Sequence, residues 1–179
     1  MDRTCFDVVI VGAGPAGIFA ALELVRRDGL SVLLVEKGPD IDKRRCPART
    51  TGICAHCEPC DITCGWGGAG AFSDGKLTLS PAVGGWLTDF VSEAELQGLI
   101  DYVDGIWREY GAPDEVHGGN GKTIERLRRQ ALLHGLTLVA APVRHVGTER
   151  AYLILTRLRA ELEREVGVAT STQAVRILT

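Results

Sequence analysis

The first forty residues contain two apolar runs separated by a segment of helical periodicity. The run Phe6–Val11 ends in β-branched residues that are apolar on both faces, which is typical of a strand buried in a parallel sheet. The run Ser31–Glu36 is predicted to be the second parallel strand. Between the runs, apolar residues recur at helical spacing before a stop at Gly29; they are Ile18, Ala21, Leu22 and Val25. Residues 1–40 are therefore predicted to form a βαβ unit.

The turn after the first predicted strand has the spacing G-x-G-x-x-G. Its glycines permit a tight turn, a close approach of the backbone to a pyrophosphate, and close packing of the helix on the strand. Pro15 suits the first helical position, where a missing N–H costs nothing, and the free N–H groups of the helix can hold phosphate. The whole turn is a candidate cofactor site: Gly12, Ala13, Gly14, Pro15, Ala16 and Gly17. A βαβ unit that binds no nucleotide is the alternative.

Glu36 lies at the predicted carboxyl end of the second strand. An acid at this position can accept hydrogen bonds from ribose hydroxyls and disfavours a 2′-phosphate, so FAD or NAD is expected rather than NADP. Basic residues follow, among them Lys37 and Arg45. They are candidates to reach the phosphates or adenosine of the cofactor; the alternative is a solvated loop face.

The rest of the pattern predicts an α/β fold with an insertion. Residues 41–80 form a cysteine-rich and glycine-rich loop region, residues 81–135 a helical insertion, and residues 136–179 the returning strands and a helix of the same domain. The predicted elements are a strand and loop at Leu77–Gly85, helices at Thr88–Tyr110 and Lys122–His134, a short strand at Leu136–Ala140, an extended segment at Pro142–Val146, a helix at Glu149–Val166 and strand-like residues at Val168–Leu178.

Composition narrows the class of protein. The chain has 179 residues, a formal net charge of −3 and 45% hydrophobic residues, as expected for one soluble globular domain or part of a larger one. There is no charge bias towards nucleic acid, and the apolar stretch Val8–Leu22 is interrupted by Gly and Pro, unlike a signal or membrane helix. We therefore expect a cytoplasmic protein that binds no nucleic acid and has no membrane span.

Cysteines are concentrated between the second strand and residue 64. The last four have the spacing Cys-x2-Cys-x2-Cys-x3-Cys, which is that of bacterial ferredoxins, although Gly65 here replaces the usual Pro. An iron–sulfur cluster or tetrahedral Zn is one interpretation, a thiol–disulfide pair that exchanges electrons with a flavin is the second, and reduced cysteines in a compact loop are the third. The candidate metal ligands are Cys46, Cys54, Cys57, Cys60 and Cys64.

A glycine-rich segment follows directly, from Gly65 to Leu77. Removing side chains from the backbone suits a place where a flat group such as an isoalloxazine ring lies close to it. Backbone contacts are expected from Gly68, Ala69 and Gly70, and polar contacts around the ring from Ser73, Asp74 and Lys76. A glycine-rich turn with ordinary surface polar groups is the alternative.

Several segments together resemble a family of poorly characterised bacterial and archaeal FAD-dependent dehydrogenases, which are flavoproteins with two dinucleotide-binding domains. The segments are VVIVGAGPAGIFAALEL, VLLVEKG, the cysteine-rich loop, GGAGAFSDGKL and the later RHVGTE, which has Val for the family's Ile and Glu for its Asp. The resemblance implies a Rossmann-like FAD-binding domain of the glutathione-reductase type, with Gly12, Gly14, Gly17 and Glu36 matching the cofactor motif. It also implies that this chain is an N-terminal part, because family members are much longer.

The resemblance further implies an oxidoreductase in which a donor passes a hydride to flavin N5 and the electrons leave to an acceptor, through a thiol or metal centre built from the cysteines. A small-molecule substrate or a redox partner is expected, NAD(P)H is a candidate electron donor, and no catalytic residue is predicted. Arg144 and His145 are candidates for an anion clamp or a proton donor, or for structural contacts. The alternative function is a nucleotide-binding scaffold with a structural Zn or a redox-sensing cysteine cluster and no turnover.

Overall fold

The computed structural model describes residues 5–27 and 29–178. Its strands are β1 (Val8–Val11), β2 (Val32–Val35), β3 (Lys76–Thr78), β4 (Val143–His145) and β5 (Gly167–Ala169), and its α-helices are α1 (Pro15–Val25), α2 (Ala48–Thr51), α3 (Glu93–Glu109), α4 (Gly121–Leu133) and α5 (Thr148–Leu162). Short 3-10 helices lie at Ile41–Lys43, Ala69–Phe72 and Leu87–Asp89. The chain divides into unit 1, Met1–Ser73 with Ala151–Thr179, and unit 2, Asp74–Arg150.

Unit 1 contains a three-stranded parallel sheet in the order β1-β2-β5. Val8 in β1 pairs with Val32 in β2. Val35 of β2 pairs with Val11 on one side and with Ala169 on the other. Parallel neighbours need a crossover connection, which α1 supplies between β1 and β2. The predicted order of strand, helix and strand is confirmed, and the parallel sheet and helices agree with the predicted α/β class.

Helix α1 covers one face of this sheet with three buried residues: Ile18, Ala21 and Leu22. A Cβ atom added to Gly17 would lie 3.3 Å from Cγ2 of Ile10, which identifies the covered face of β1. Neighbouring strand residues point to the opposite face, and there Val9 is 54% and Val11 66% exposed. The prediction that β1 is buried on both faces is therefore wrong for the described chain, because α1 covers only one of them.

Helix α5 supplies much of the remaining core of unit 1. Its buried residues are Ala151, Ile154, Leu155, Leu158 and Leu162. The fully buried Trp66 donates a hydrogen bond from Nε1 to the carbonyl oxygen of Leu155 at 2.9 Å. Arg159 lies over the Trp66 ring, 5.4 Å from its centroid, and pairs with Asp40 at 3.0 Å. These contacts hold α5 against the segment that follows β2.

Unit 2 contains a two-stranded antiparallel sheet of β3 and β4 together with α3 and α4. Lys76 pairs with His145, and Thr78 pairs with Val143. A further bridge joins His117 to Val143. None of the helices in the described part of the chain combines the length and hydropathy that crossing a bilayer requires.

Several predicted elements have different bounds in the structure; the helix predicted over Glu149–Val166, for example, ends at Leu162. The helix predicted from Thr88 begins at Glu93, because the Ser92 side chain accepts a hydrogen bond from the backbone N–H of Glu95 and caps the helix there. The strand-like segment predicted over Val168–Leu178 ends at Ala169. Past that point the described residues form no strand, and Ile177 is 87% exposed. An apolar composition is therefore not sufficient to form a strand here, because these residues have no partner strand among the described residues.

The short strand predicted at Leu136–Ala140 is absent from the structure. Leu136 is 63% and Val139 55% exposed, and no strand among the described residues forms a ladder with this segment. A strand is stabilised by cross-strand pairs, so the apolar alternation of this segment is not sufficient to form one.

Candidate functional site

The turn between β1 and α1 lies at the carboxyl ends of β1 and β2. The backbone N–H of Gly12 donates to the carbonyl oxygen of Val35 at 2.7 Å, which ties the turn to β2. A Cβ atom at Gly17 would lie only 1.9 Å from the carbonyl oxygen of Gly12. Glycine at position 17 is therefore required for α1 to approach the turn this closely.

The outer side of the turn is open. Cβ atoms added to Gly12 or Gly14 would meet no heavy atom within 4 Å. Pro15 begins α1, and no side chain caps this end of the helix. Its first N–H groups and the positive end of its dipole are therefore available to an anionic group. This geometry fits the pyrophosphate of a dinucleotide.

Glu36 follows β2 and is buried, with 6% of its surface exposed. Its Oε2 accepts a hydrogen bond from the backbone N–H of Ala13 at 2.8 Å. Its Oε1 accepts two more, from the N–H of Gly38 at 2.8 Å and from that of Gly65 at 2.9 Å. One carboxylate thus joins the glycine turn, the end of β2 and the start of the glycine-rich segment.

These contacts give Glu36 a role that the sequence did not predict. Burial acts to raise the pKa of Glu36, but the N–H donors of Ala13, Gly38 and Gly65, together with the charge of Arg44, hold the pKa below its ordinary value. The side chain is therefore anionic in its structural role. A carboxylate has about four acceptor positions, so one position on Oε2 is left for a ribose hydroxyl.

The glycine-rich segment packs against the glycine turn that follows β1. The backbone N–H of Gly67 donates to the carbonyl oxygen of Ala13 at 2.8 Å. A Cβ atom on Gly68 would lie 3.1 Å from Cα of Gly14. Gly68 precedes the 3-10 helix that contains the exposed residues Ala69 and Gly70. Gly68 therefore lies directly beside the glycine turn, and the other two predicted backbone contacts, Ala69 and Gly70, follow it in the chain.

Arg44 is a buried clamp for this segment. Its guanidinium donates to four carbonyl oxygens at 2.7–2.9 Å, those of Asp61, Ile62, Trp66 and Gly68. It also lies over the ring of Phe72, 4.6 Å from the centroid. The sequence placed Arg44 among several basic residues and gave no signal that it alone is buried. It positions the loop that the cofactor residues occupy.

The other basic residues near β2 are exposed. Lys37 lies directly after Glu36 with an exposed side chain. Arg45 is also exposed; its backbone N–H donates to Asp61 at 2.9 Å, and its Nη1 donates to the carbonyl oxygen of Arg44 at 3.0 Å. Arg49 lies over the Phe72 ring at 4.8 Å. The predicted contacts of Lys37 and Arg45 with a cofactor stay predictions.

The three polar candidates within the glycine-rich segment are divided between the two units. Ser73, in unit 1, donates from Oγ to the carbonyl oxygen of Gly70 at 2.8 Å. In unit 2, Asp74 pairs with Lys76 at 2.6 Å, and Lys76 lies opposite His145 in the ladder. The hydrogen bond from Lys76 and the charge of His145 lower the pKa of Asp74. The predicted role of all three in cofactor binding is not tested by these contacts.

Inside unit 2, the RHVGTE segment contacts the DGKL part of the glycine-rich segment, residues 74–77. The N–H of Val146 donates to the carbonyl oxygen of Gly75 at 2.8 Å, and a Cβ atom on Gly75 would lie 3.1 Å from the backbone N of Gly147. Arg144 is buried and bonded to Asp104, with Nη2 and Oδ2 2.7 Å apart, and this bond raises the pKa of Arg144. Of the two roles expected for Arg144, the contacts favour the structural one.

The structure does not assemble the predicted metal ligands. All six cysteines are free; Cys5, Cys54, Cys57 and Cys60 are exposed, and Cys46 and Cys64 are half-buried. Among the described residues, no three His, Cys, Asp or Glu side chains are grouped so that they could hold a metal ion. The metal site predicted from the cysteine spacing stays a prediction.

Three of the thiols instead line a cleft of about 490 Å³ in unit 1, here called the thiol cleft. Its walls include Lys37, Cys57, Cys60, Thr63, Cys64 and Gln173. The pKa of Cys60 is lowered, chiefly by hydrogen bonds from the backbone N–H groups of Ile62 and Thr63. The sequence predicted a cysteine-rich loop but gave no indication that it would meet the segment after β5.

A family model described as FAD dependent oxidoreductase matches residues 7–59. The matched region contains β1, α1, β2 and the first part of the cysteine-rich loop. This match supports FAD as the cofactor and a Rossmann-like α/β fold for the region that it covers.

The curated relatives match over short segments. The chain is 48% identical over 71 residues to an uncharacterized protein of Clostridium beijerinckii, a match that covers 39% of this chain and 13% of that protein. It is 51% identical over 37 residues to a thioredoxin reductase of Ureaplasma parvum, which covers 21% of this chain and 12% of that protein. The matches thus span about an eighth of the length of these relatives.

Among solved structures, the L-amino acid deaminase of Proteus myxofaciens superposes with a TM-score of 0.42 at 16% identity, over 94% of this chain and 39% of that one. The L-amino acid deaminase of Proteus vulgaris does so with a TM-score of 0.30 at 20% identity, over 94% and 40% of the two chains.

Proposed function

We propose that unit 1 holds FAD and that the protein containing this chain is an FAD-dependent oxidoreductase. The observation that carries this proposal is the open glycine turn at the start of α1, with its N–H groups uncapped and its Cβ space empty. The family match to residues 7–59 independently supports FAD. A dinucleotide binds outside the carboxyl ends of parallel strands, where this turn lies.

The pyrophosphate would be held by the first turn of α1. Gly12 and Gly14 leave room for it, and the backbone N–H groups that follow Gly14 supply donors without side-chain charge. Gly68 lies against Gly14 and limits this space from the side of the glycine-rich segment. The exposed side chains of Lys37 and Arg45 are proposed to reach the phosphates or the adenosine of the cofactor.

The ribose would be held by the free acceptor position on Oε2 of Glu36. The same carboxylate already accepts the N–H of Ala13, so ribose and pyrophosphate would be placed relative to one another by a single side chain. Its negative charge disfavours a 2′-phosphate. We therefore propose FAD rather than an NADP-type dinucleotide as the ligand of this site.

Bound FAD supplies a ring that accepts a hydride, and the residues of this chain bind and orient the cofactor. Arg44 and Glu36 fix the backbone of the glycine-rich segment. Ser73, the last residue of unit 1 before unit 2 begins, is proposed as a polar neighbour of the flavin ring.

The second candidate function is a dinucleotide-binding scaffold whose cysteines sense redox conditions without turnover. It is favoured by the exposure of Cys57 and Cys60, which leaves both thiols open to small-molecule oxidants. In this case the protein would bind FAD, but no hydride donor would reduce it.

One experiment separates these functions. The full-length protein is purified, its absorbance spectrum is recorded without oxygen before and after reconstitution with FAD, and iron, zinc and acid-labile sulfide are assayed in the same sample. Flavin bands that bleach when NADH, NADPH or candidate substrates are added support the oxidoreductase. Bound flavin that none of them bleaches supports the scaffold, and no flavin after reconstitution contradicts both.

A further inference from the structure

The thiol cleft lies at the carboxyl ends of two adjacent parallel strands. Lys37 is the second residue after β2, and Gln173 is the fourth after β5. The segment after β5 is fixed beside the end of β2, because Thr172 N–H donates to the carbonyl oxygen of Glu36 at 2.9 Å and Ser171 N–H donates to that of Gly38 at 2.8 Å. The thiol cleft therefore begins beside Glu36, which we have proposed as the ribose contact.

The thiol cleft has a suitable size and position for the base of the dinucleotide, which is attached to that ribose. Its volume of about 490 Å³ falls in the range of roughly 300–1,000 Å³ that is usual for small-molecule sites. Ligands of such sheets bind outside the carboxyl ends of the strands. A cofactor with its pyrophosphate at α1 and its ribose at Glu36 would extend its base along β2 and β5, into this cleft.

The cysteines of the cleft are accessible nucleophiles. Cys57 and Cys60 are exposed and Cys64 is half-buried. Hydrogen bonds from the backbone N–H groups of Ile62 and Thr63 lower the pKa of the Cys60 thiol, and a lower pKa increases the fraction of the reactive thiolate.

We propose that Cys57 and Cys60 form a covalent modification site for small-molecule disulfides, and that an occupied site excludes the adenosine half of FAD from the thiol cleft. This inference rests on the proposed FAD site of unit 1. The thiolate attacks one sulfur of the disulfide, a new S–S bond forms to the protein, and the other half leaves as a thiol that takes up the cysteine proton. Excess thiol reverses the reaction. The oxidation state of the thiols in this loop would then determine how tightly the protein holds FAD.

The test measures competition at named cysteines. The full-length apo-protein is treated with 4,4′-dithiodipyridine, and peptide mass spectrometry follows the labelling rate of each cysteine alone, with FAD, with ADP and with FMN. At ten times its Kd, FAD and likewise ADP are expected to slow labelling of Cys57 and Cys60 by roughly tenfold, the fraction of sites left free by mass action. FMN, which lacks adenosine, is expected to have no such effect. Cys5, exposed before β1 at the amino end of the sheet, is the internal control and keeps its rate.

The reciprocal measurement uses FAD affinity. Protein labelled at Cys57 and Cys60 is expected to bind FAD at least tenfold more weakly, and dithiothreitol is expected to restore the original Kd. A triple variant, Cys57→Ser with Cys60→Ser and Cys64→Ser, removes every thiol that lines the cleft. It is compared with itself before and after reagent, and its Kd is expected not to respond to the reagent.

The outcomes separate this inference from the proposed function. If FAD binds but neither FAD nor ADP slows labelling of Cys57 and Cys60, the inference is overturned and the FAD site stands. If FMN protects as well as ADP, the cleft receives the flavin end and the inference is also overturned. If no FAD binds at all, the proposed function fails and the inference with it.

Discussion

The backbone N–H of Ala13 and Oε2 of Glu36 are 2.8 Å apart, although 23 positions separate the two residues in the chain. This hydrogen bond joins the glycine turn to the end of β2. Oε1 of the same side chain extends the connection to Gly38 and Gly65. The shape of the candidate site therefore depends on one buried carboxylate as much as on the glycines themselves.

Replacing this carboxylate by an amide tests its structural role. In Glu36→Gln one oxygen acceptor becomes an N–H donor, which leaves at least one backbone N–H of the site without a partner. A buried unsatisfied donor costs about 1–3 kcal/mol, so the free energy of unfolding is expected to fall by that amount. Urea denaturation measures it. Glu161→Gln, at an exposed position of α5, is the matched control and is expected to change it by less than about 0.5 kcal/mol.

The lowered pKa of Glu36 predicts a pH dependence of stability. Its pKa is lower in the folded protein than in the unfolded chain, so the unfolded state binds more protons in the acid range. The stabilisation is fully present above the unfolded pKa and is lost as the pH falls through the lower, folded pKa. The free energy of unfolding, measured at several pH values across this acid range, is expected to change more steeply with pH for the wild type than for Glu36→Gln. Equal slopes would show that Glu36 does not titrate as described.

Arg44→Lys tests the clamp on the glycine-rich segment. A single ammonium group cannot reach the four carbonyl oxygens that the guanidinium contacts. Hydrogen bonds to charged groups contribute about 1.5–3 kcal/mol each, and we expect a loss of about 3 kcal/mol in the free energy of unfolding. The exposed neighbour provides the control: Arg45→Lys is expected to cost less than about 0.5 kcal/mol. Similar losses for both variants would refute the assignment of the clamp to Arg44.

The buried pair in unit 2 gives a prediction that is independent of any cofactor. Asp104→Asn leaves the buried guanidinium of Arg144 without its counter-ion, and breaking such a pair costs about 3–5 kcal/mol. Glu125 forms ion pairs with Arg128 and Arg129 on the surface of α4, and Glu125→Gln is expected to cost at most about 1 kcal/mol. The free energies of unfolding of the two variants are compared by thermal unfolding. If Asp104→Asn is as mild as Glu125→Gln, the buried pair does not stabilise unit 2.

The elements predicted most accurately from the sequence are those defined by local pattern. The order of β1, α1 and β2 follows from apolar periodicity, and the close packing at Gly17 follows from the glycine spacing. The predictions that failed have a common physical cause: the structure of those segments depends on contacts with residues far away in the chain. Leu136–Ala140 has the composition of a strand but no partner strand among the described residues.

Long-range contacts also explain what was missed in the site. The hydrogen bond from Gly65 to Glu36 joins positions 29 apart, and no spacing in the sequence indicates it. Arg44 belongs to a run of basic residues whose members look alike until the fold buries one of them. The sequence also gave no sign that three of the cysteines line one cleft, because spacing records the order of thiols along the chain and not their positions in space.

Two glycines of the turn allow the central claim to be tested directly. Gly17→Ala places a methyl group against the carbonyl oxygen of Gly12 and is expected to lower both stability and FAD affinity. Gly14→Ala has a backbone conformation suited to alanine and adds its methyl group to open space. The fold is therefore expected to tolerate Gly14→Ala, whereas the methyl group occupies the volume proposed for the pyrophosphate.

The most direct measurement is a titration of the full-length apo-protein with FAD, followed by flavin fluorescence, for the wild type and Gly14→Ala, with urea denaturation of both. We predict equal stability within about 0.5 kcal/mol and an affinity for FAD at least tenfold weaker in the variant. Equal stability with unchanged FAD affinity would contradict the account, because the cofactor would then not lie against the turn at Gly14.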